Sequence, residues 1–222
     1  AFEGKLTKNW QQRKDIRDAK NIALKNICIK IDKIKKDENP EKEIKYIDIG
    51  SIDNKILKIV SNKKYKLKNA PSRAKQIVKK GDILFSTVRT YLKNIAYVSS
   101  EYENEVCSTG FCVIRPDQNI LSSKYTFYNV ISDDFINKVT PLQTGTSYPA
   151  VRNNDIFKQS IPLFDIEEQE QIVKEIESRL SVCDKLEESI LQSLEKINYL
   201  RQSILKKAFE GKLVPQWPDL PA

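Results

Sequence analysis

A run of 44 residues without glycine or proline, from residue 167 to residue 210, places the strongest constraint on how this chain folds. Apolar residues recur there every seven positions, a spacing that keeps one stripe of a helix facing a partner helix. The stripe contains Ile176, Leu180, Cys183, Ile190, Leu194, Ile197 and Ile204. One helix cannot bury this stripe, and no other segment is long enough to match it. The sequence therefore predicts a coiled coil with a partner, most simply a second copy of the chain.

The residues before this helix have a different sequence pattern, which predicts short apolar strands separated by turns. "GDILFSTVRTY" from Gly81 and "CSTGFCVIRP" from Cys107 each begin with turn residues and continue as an apolar strand. Apolar residues at helical spacing follow the possible N-cap Ser122 and predict helix up to about residue 137. The predicted fold class is α+β, a mixed α/β domain followed by a long α-helix.

One six-residue sequence occurs near both ends of the chain: "AFEGKL" occupies residues 1–6 and again residues 208–213. The second copy coincides with the predicted end of the long helix, where Gly211 suits a helix stop. The first copy is then expected to be the tail of a preceding helix. We expect a helix tail and linker at 1–14, a globular domain at 15–164, the long helix at 165–213 and a C-terminal tail at 214–222.

Positive charge is concentrated before the long helix. Residues 165–213 hold 8 Lys/Arg and 11 Asp/Glu, which leaves 30 basic and 19 acidic residues and a net charge of +11 elsewhere. The densest basic stretch, residues 54–81, contains no acidic residue and includes Lys63, Lys64, Lys66, Lys68 and Arg73. Such a stretch is typical of a module that binds phosphates, although a lysine-rich surface also serves solubility alone.

The available residue types exclude several kinds of enzyme. The chain has no histidine, so Ser-His-Asp and Cys-His arrangements cannot form, and its four cysteines lack a metal-binding pattern. No Walker loop or glycine-rich dinucleotide motif is present. No apolar run approaches the ~20 residues that span a bilayer, and no signal peptide is recognisable. We expect a cytoplasmic, non-catalytic protein with reduced, buried thiols, no metal and no membrane partner.

Several stretches resemble, in order, motifs of the DNA-specificity (S) subunits of type I restriction–modification systems. "LRQSILKKAFEGKLVPQ" at 200–216 is similar to the end of that family's conserved helical region. "GDILFSTVRTYLKN", "STGFCVIRP" and "QTGTSYPAVRNNDI" resemble stretches of its target-recognition domains. "IPLFDIEEQEQIVKEI" resembles the passage from such a domain into the helix. On this resemblance the chain corresponds to the C-terminal half of a subunit, or to a half-subunit.

The resemblance implies recognition without chemistry. Members of the family usually carry two target-recognition domains, which read the two halves of a split double-stranded DNA target, and two long antiparallel helices that set their distance. S-adenosylmethionine serves the modification (methyltransferase) subunits, and Mg and ATP serve the restriction subunit, so no cofactor is expected on this chain. With one domain and one long helix, we expect a homodimer through an antiparallel helix pair, which would rebuild the two-domain layout.

Two loops are candidates for reading bases, whereas lysines of the basic stretch would bind phosphates. The first contains Arg89 with Thr90, Tyr91 and Lys93, and its alternative is a buried strand whose arginine supports the fold. The second has hydroxyl groups around Gly145 and is followed by a second arginine. Its candidate residues are Thr144, Thr146, Ser147, Tyr148 and Arg152. Because this motif is shared across different targets in the family it resembles, backbone binding or a structural role are its alternatives. Residues 62–72 are a further candidate for base reading.

Two other functions are compatible with the sequence. One is a coiled-coil adaptor whose basic head binds RNA or an acidic protein, with Tyr91 and Tyr148 available for stacking on bases. The other is a metal-dependent nuclease built on Asp48, Asp53 and Asp82. No metal-ligand spacing supports the nuclease, and turns between strands favour aspartate in any case.

Overall fold

The computed structural model of the chain describes residues 19–35 and 39–213. The expected helix tail at 1–14 and the C-terminal tail at 214–222 lie outside these residues. The chain divides after Lys174 into two compact units, a globular unit and a helical unit. The domain boundaries given above stay predictions.

The globular unit consists largely of short strands joined by turns. In chain order, the strands of the described residues are β1 (Lys20–Ala23), β2 (Glu43–Ile47), β3 (Ile52–Asp53), β4 (Lys58–Ile59), β5 (Lys63–Lys66), β6 (Ala74–Ile77), β7 (Ile83–Ser86), β8 (Ile95–Tyr97), β9 (Val106–Ser108), β10 (Phe111–Ile114) and β11 (Ser160–Leu163). Antiparallel pairing dominates, as expected for strands joined by short turns.

Four small sheets arise from these strands. The largest has the order β5-β2-β9-β6, in which only β2 and β9 run parallel, and a three-stranded antiparallel sheet has the order β10-β7-β8. Strands β3 and β4 form a hairpin, and β1 pairs with β11, so the two ends of the globular unit meet. Strand β7 lies at the centre of its sheet and all four of its residues are buried, which explains its continuous apolar sequence.

One core cluster is formed by residues of the two larger sheets and of the segments next to them. It includes Ile47 of β2, Leu84 of β7, Cys107 of β9 and Phe111 and Val113 of β10. A second cluster forms around Ile44, Tyr46 and Val106. Strand β2 supplies both clusters because it is largely apolar, with three of its five residues buried.

A buried ion pair ties the start of β7 to the end of β10. The Arg115 guanidinium donates to both Asp82 carboxylate oxygens at 2.9 and 2.8 Å and to the Ile77 carbonyl oxygen at 3.0 Å. The hydrogen bond to Asp82 raises the pKa of Arg115 above its ordinary value. Asp82, just before β7, and Arg115, just after β10, therefore connect the two neighbouring strands at one end of the sheet.

The predicted helix before residue 137 is instead two short helices, α1 (Ser123–Val130) and α2 (Asp133–Val139). Ser132 separates them, because its hydroxyl accepts a hydrogen bond from the Phe135 backbone N–H and thereby caps a new helix. A third short helix, α3 (Asn153–Phe157), precedes β11.

The long helix α4 (Ile166–Phe209) has 44 residues and a length of roughly 66 Å. Its first turns belong to the globular unit, where Ile172 and Val173 are buried. Gly211 follows its end in the left-handed conformation, at φ 67°, which suits a glycine stop. The predicted α+β class with a long C-terminal helix is confirmed.

Candidate nucleic-acid interface

The two loops that the sequence singled out lie side by side in the globular unit. We call residues 87–94 the Arg89 loop and residues 143–152 the Tyr148 loop. The Arg89 backbone N–H donates to the Pro149 carbonyl oxygen at 2.9 Å, and the Val151 N–H donates to the Thr87 carbonyl oxygen at 2.9 Å. Val88 and Ala150 form an antiparallel bridge between these bonds. Two segments about 60 residues apart in sequence therefore form one structural feature.

Side-chain contacts join the same two loops. The Arg89 guanidinium carbon lies 5.2 Å from the centre of the Tyr148 ring, and one of its terminal nitrogens donates to the Ser147 carbonyl oxygen at 3.3 Å. Stacking on an aromatic face orients the planar guanidinium and leaves its edges open. Tyr148 is 74% exposed, so this stacked pair faces solvent.

Arg89 does not lie in a strand, so that part of the alternative is wrong. Strand β7 ends at Ser86, and Arg89 has a left-handed backbone at φ 48° and ψ 58°. Lys93 is also left-handed, at φ 51°. Such conformations are costly for residues other than glycine and persist only where the surroundings hold them.

Four anchors hold the Arg89 loop in this conformation. The Thr90 N–H donates to the Gln143 side-chain oxygen at 3.2 Å, and the Thr90 and Thr140 hydroxyls are 3.0 Å apart. The Asn54 amide, at the tip of the β3–β4 hairpin, donates to the Leu92 carbonyl oxygen at 2.8 Å. The Lys93 ammonium donates to Asp133 at 2.6 Å, and this hydrogen bond lowers the pKa of Asp133.

The other residues predicted to bind DNA from these two loops differ in their exposure to solvent. Tyr91, Thr144, Thr146, Ser147 and Arg152 are exposed, whereas Thr90 is buried. Thr90 is therefore in a position to support the loop rather than to reach a ligand. Gly145 has a φ of 100°, which explains why the tight turn of the Tyr148 loop uses glycine.

The basic stretch is less free than its sequence indicates. Lys66 and Lys68 both bind Glu41, which lies about 25 residues away, and Lys63 binds Asp48 at 2.8 Å. The hydrogen bonds from the two lysines lower the pKa of Glu41. Although desolvation opposes it, the hydrogen bonds from Lys63 and Ser51 lower the pKa of Asp48. Among the described residues, no ion-pair partner contacts Lys64 or Arg73.

Residues important for the site but missed by sequence reasoning act as anchors. Asn54, Asp133 and Thr140 lie far in sequence from the loop they hold, and only Asn54 carried a local signal, as part of an Asp-Asn turn. Pairings of this kind depend on tertiary structure, so no local pattern could have found them.

The acids of the alternative nuclease all have structural partners. Asp48 binds Lys63 and Ser51, Asp53 accepts the Lys55 backbone N–H at 2.8 Å, and Asp82 forms the ion pair with Arg115. No group of three or more potential metal ligands occurs within residues 19–35 and 39–213. These arrangements give the nuclease alternative no support.

The cysteines correct one prediction. Cys107 and Cys112 are buried and Cys28 is half-buried, but Cys183 on α4 is exposed in the single chain. Burial raises the pKa of the Cys28 thiol to about 12. In the part of the chain that the structure describes, no helix is both long and apolar enough to cross a membrane.

The predicted seam of the helical unit is open to solvent in the single chain. Ile190 is 60% exposed, and Leu180, Leu194, Ile197 and Ile204 are also exposed, whereas Ile176 is half-buried. An apolar row of this length is unusual on a free surface and indicates a partner.

The half-buried Arg89 stacks on the exposed Tyr148 in a unit with excess positive charge, and such excess charge is typical of nucleic-acid-binding modules. A family model for the type I restriction modification DNA specificity domain matches residues 16–196. The chain therefore belongs to the family of type I restriction–modification specificity subunits, as its motifs predicted.

Relatives and solved structures agree with this assignment. The HindI specificity subunit of Haemophilus influenzae is 30% identical over 197 residues, covering 86% of this chain and 41% of the relative. The crystal structure of the HsdS subunit from Thermoanaerobacter tengcongensis is 34% identical, with a TM-score of 0.78, covering 91% of this chain and 51% of that chain. A structure from work on complex assembly in the type I R-M system is 33% identical, with a TM-score of 0.73. The match covers 93% of this chain and 52% of that chain.

The chain thus spans about half the length of these solved relatives and less of the curated one. Membership of this family means that the chain is a specificity subunit or part of one.

Proposed function

We propose that the globular unit reads one half of a split double-stranded DNA target, and that α4 sets the distance to a second such unit. The observation that carries this proposal is the Arg89 guanidinium, held on a strained loop and stacked on the exposed Tyr148 ring. It occurs in a chain of the DNA specificity family.

Arg89 suits the recognition of a guanine edge. A guanidinium can donate two hydrogen bonds to the O6 and N7 atoms of guanine, which is the commonest specific contact in the major groove. Its 3.3 Å bond to the Ser147 carbonyl oxygen is long, so little stabilisation would be given up on exchanging it for a base. The anchors of the Arg89 loop would keep the backbone fixed during that exchange.

Phosphate binding would come from basic side chains without carboxylate partners. Among the described residues, this condition is met by Arg152, the last residue of the Tyr148 loop, and by Lys64 and Arg73. Lys63, Lys66 and Lys68 would first have to leave Asp48 or Glu41, so their contribution would be smaller.

The exposed seam of α4 is proposed to pair with the seam of a second copy in antiparallel orientation, giving a homodimer with two recognition domains. Modification and restriction subunits are the further proposed partners, and S-adenosylmethionine, Mg and ATP would be bound by them. A relative solved in work on complex assembly of the type I R-M system supports this view of its partners.

A binding comparison tests the proposal against the adaptor alternative. The full chain is titrated with a random-sequence DNA duplex, an RNA duplex and hairpin RNA of equal length, and polyglutamate, with fluorescence anisotropy as the readout. We expect the DNA duplex to bind most tightly, and incubation of that duplex with Mg²⁺ or Mn²⁺ to leave it intact.

Each competing function predicts a different result. Tighter binding of RNA or polyglutamate would replace the proposal with the adaptor. Cleavage of the duplex that requires the metal, and disappears in an Asp48→Asn/Asp53→Asn variant, would replace it with the nuclease.

A further inference from the structure

A cleft of about 580 Å³ in the globular unit lies outside the two loops described above. Its lining residues come from four segments, within residues 25–33, 75–76, 109–113 and 153–157. The basic stretch at residues 54–81 includes Lys75 of this cleft. The lining residues within 25–33 were not among the residues predicted to bind DNA.

The cleft is strongly positive. Lys25, Lys30, Lys33 and Lys75 line it, and no carboxylate does. None of these four lysines has a carboxylate partner among the described residues. The neighbouring Asp32 carboxylate lies 3.5 Å from the Arg115 guanidinium and 3.6 Å from the Lys79 ammonium, so its charge is already balanced.

Charge pairing distinguishes the cleft from part of the basic stretch. Lys63, Lys66 and Lys68 pair with Asp48 or Glu41, whereas no carboxylate of the described residues pairs with the lysines of the cleft. Unpaired cations attract phosphates more strongly than cations that must first give up a carboxylate.

The remaining lining fits a sugar–phosphate chain. Ile29, Ile31, Val113 and Phe157 provide an apolar floor, and the amides of Asn153 and Asn154 add hydrogen-bonding groups. Deoxyribose presents an apolar surface between charged phosphates, and amide groups commonly contact the phosphate and sugar of DNA.

The cleft adjoins the Arg89 loop. Thr109 lines the cleft, and the carbonyl oxygen of the next residue, Gly110, accepts bonds from the Thr87 N–H at 3.0 Å and the Thr87 hydroxyl at 2.9 Å. On the other side, Asn153 lies two residues after Val151, which bonds to the same threonine. A strand contacted by Arg89 could therefore continue into the cleft.

We propose that this cleft binds the phosphodiester backbone of the duplex whose bases the Arg89 loop reads, with its four lysines neutralising successive phosphates. The inference rests on the proposed function, because it names the backbone subsite of the same DNA.

The test compares two double variants with equal changes in charge. Lys30→Gln/Lys33→Gln removes two cleft lysines, and Lys66→Gln/Lys68→Gln removes two lysines bound to Glu41. Each full-length variant is titrated with a random-sequence duplex at several salt concentrations, after circular dichroism has shown wild-type folding. We expect the cleft variant to flatten the slope of log affinity against log salt by about 0.9 for each phosphate that the protein no longer neutralises, and the control to change it by less.

The outcomes separate the two claims. If the wild type binds duplex and the cleft variant keeps its salt slope, the cleft assignment is overturned while the proposed function stands. If the wild type binds no duplex at all, the proposed function itself fails, and the cleft assignment fails with it. If deoxyadenosine monophosphate binds the wild type as tightly as duplex does and the cleft variant does not bind it, the cleft is a small-phosphate site and the backbone assignment is overturned.

Discussion

Arg89 illustrates how a single residue combines strain with function. Its left-handed backbone opposes its intrinsic preference, and hydrogen bonds that join Pro149, Gln143 and Asn54 to the loop maintain it. The side chain is thereby presented on an exposed tyrosine rather than buried in the sheet. Strain of this kind is expected where a side chain must be preorganised for a ligand.

The first prediction concerns the shape of the Arg89 side chain. Arg89→Lys keeps the charge but loses the planar fork, so the affinity for a preferred duplex should fall by about 1–3 kcal/mol relative to a scrambled one. Anisotropy titrations of both duplexes measure this difference. Arg179→Lys on the helical unit is the matched control, and an Arg89→Lys variant with unchanged discrimination would remove Arg89 from base reading.

The second prediction concerns the ion pair between Asp82 and Arg115. The Asp82 side chain is 1% exposed, so Asp82→Asn leaves the buried Arg115 guanidinium with only the exposed Asp32 carboxylate, 3.5 Å away, as a counter-charge. The free energy of unfolding should decrease by about 3–5 kcal/mol, as measured by urea denaturation. The control Asp32→Asn removes an exposed partner of the same arginine and should cost less than about 1 kcal/mol. Equal effects of the two substitutions would contradict the assignment.

At the scale of elements, the sequence predicted those helices and strands whose formation depends on local sequence patterns. The seven-residue repeat predicted α4. In residues 107–116, turn residues followed by an apolar run predicted β10 and the turn before it. The same reasoning missed the break between α1 and α2, because a capping hydroxyl at Ser132 outweighed the helical spacing of the apolar residues. The ion pairs of Lys63 with Asp48 and of Lys66 with Glu41 could not be predicted in this way, since those contacts depend on how β2 and β5 pair.

The third prediction concerns the orientation of the α4 pair. In an antiparallel dimer centred on Ile190, Cys183 of one copy faces position 197 of the other, because both lie seven residues from the centre. Ile197→Cys should therefore form an intermolecular disulfide under mild oxidation, visible by non-reducing electrophoresis. Wild-type chains should not cross-link through Cys183, and a wild-type Cys183–Cys183 disulfide would indicate a parallel pair instead.

At the scale of the whole molecule, the predicted dimer gives the fourth prediction. Ile190→Asp/Ile197→Asp places charges in the seam, at a cost of several kcal/mol when they are buried in a coiled coil. Light scattering should give a mass near twice 25.7 kDa for the wild type and near 25.7 kDa for the variant. Circular dichroism should still show a folded globular unit, and a variant that remains dimeric would contradict the seam.

The measurement that tests the central claim most directly is selection of bound sequences from a randomised duplex DNA pool by the purified full-length chain. If the chain reads one half-target per copy and pairs through α4, the enriched duplexes should contain the same short motif twice, inverted and separated by a fixed spacer. An unenriched pool from a chain that does bind duplex would contradict sequence recognition by the Arg89 and Tyr148 loops.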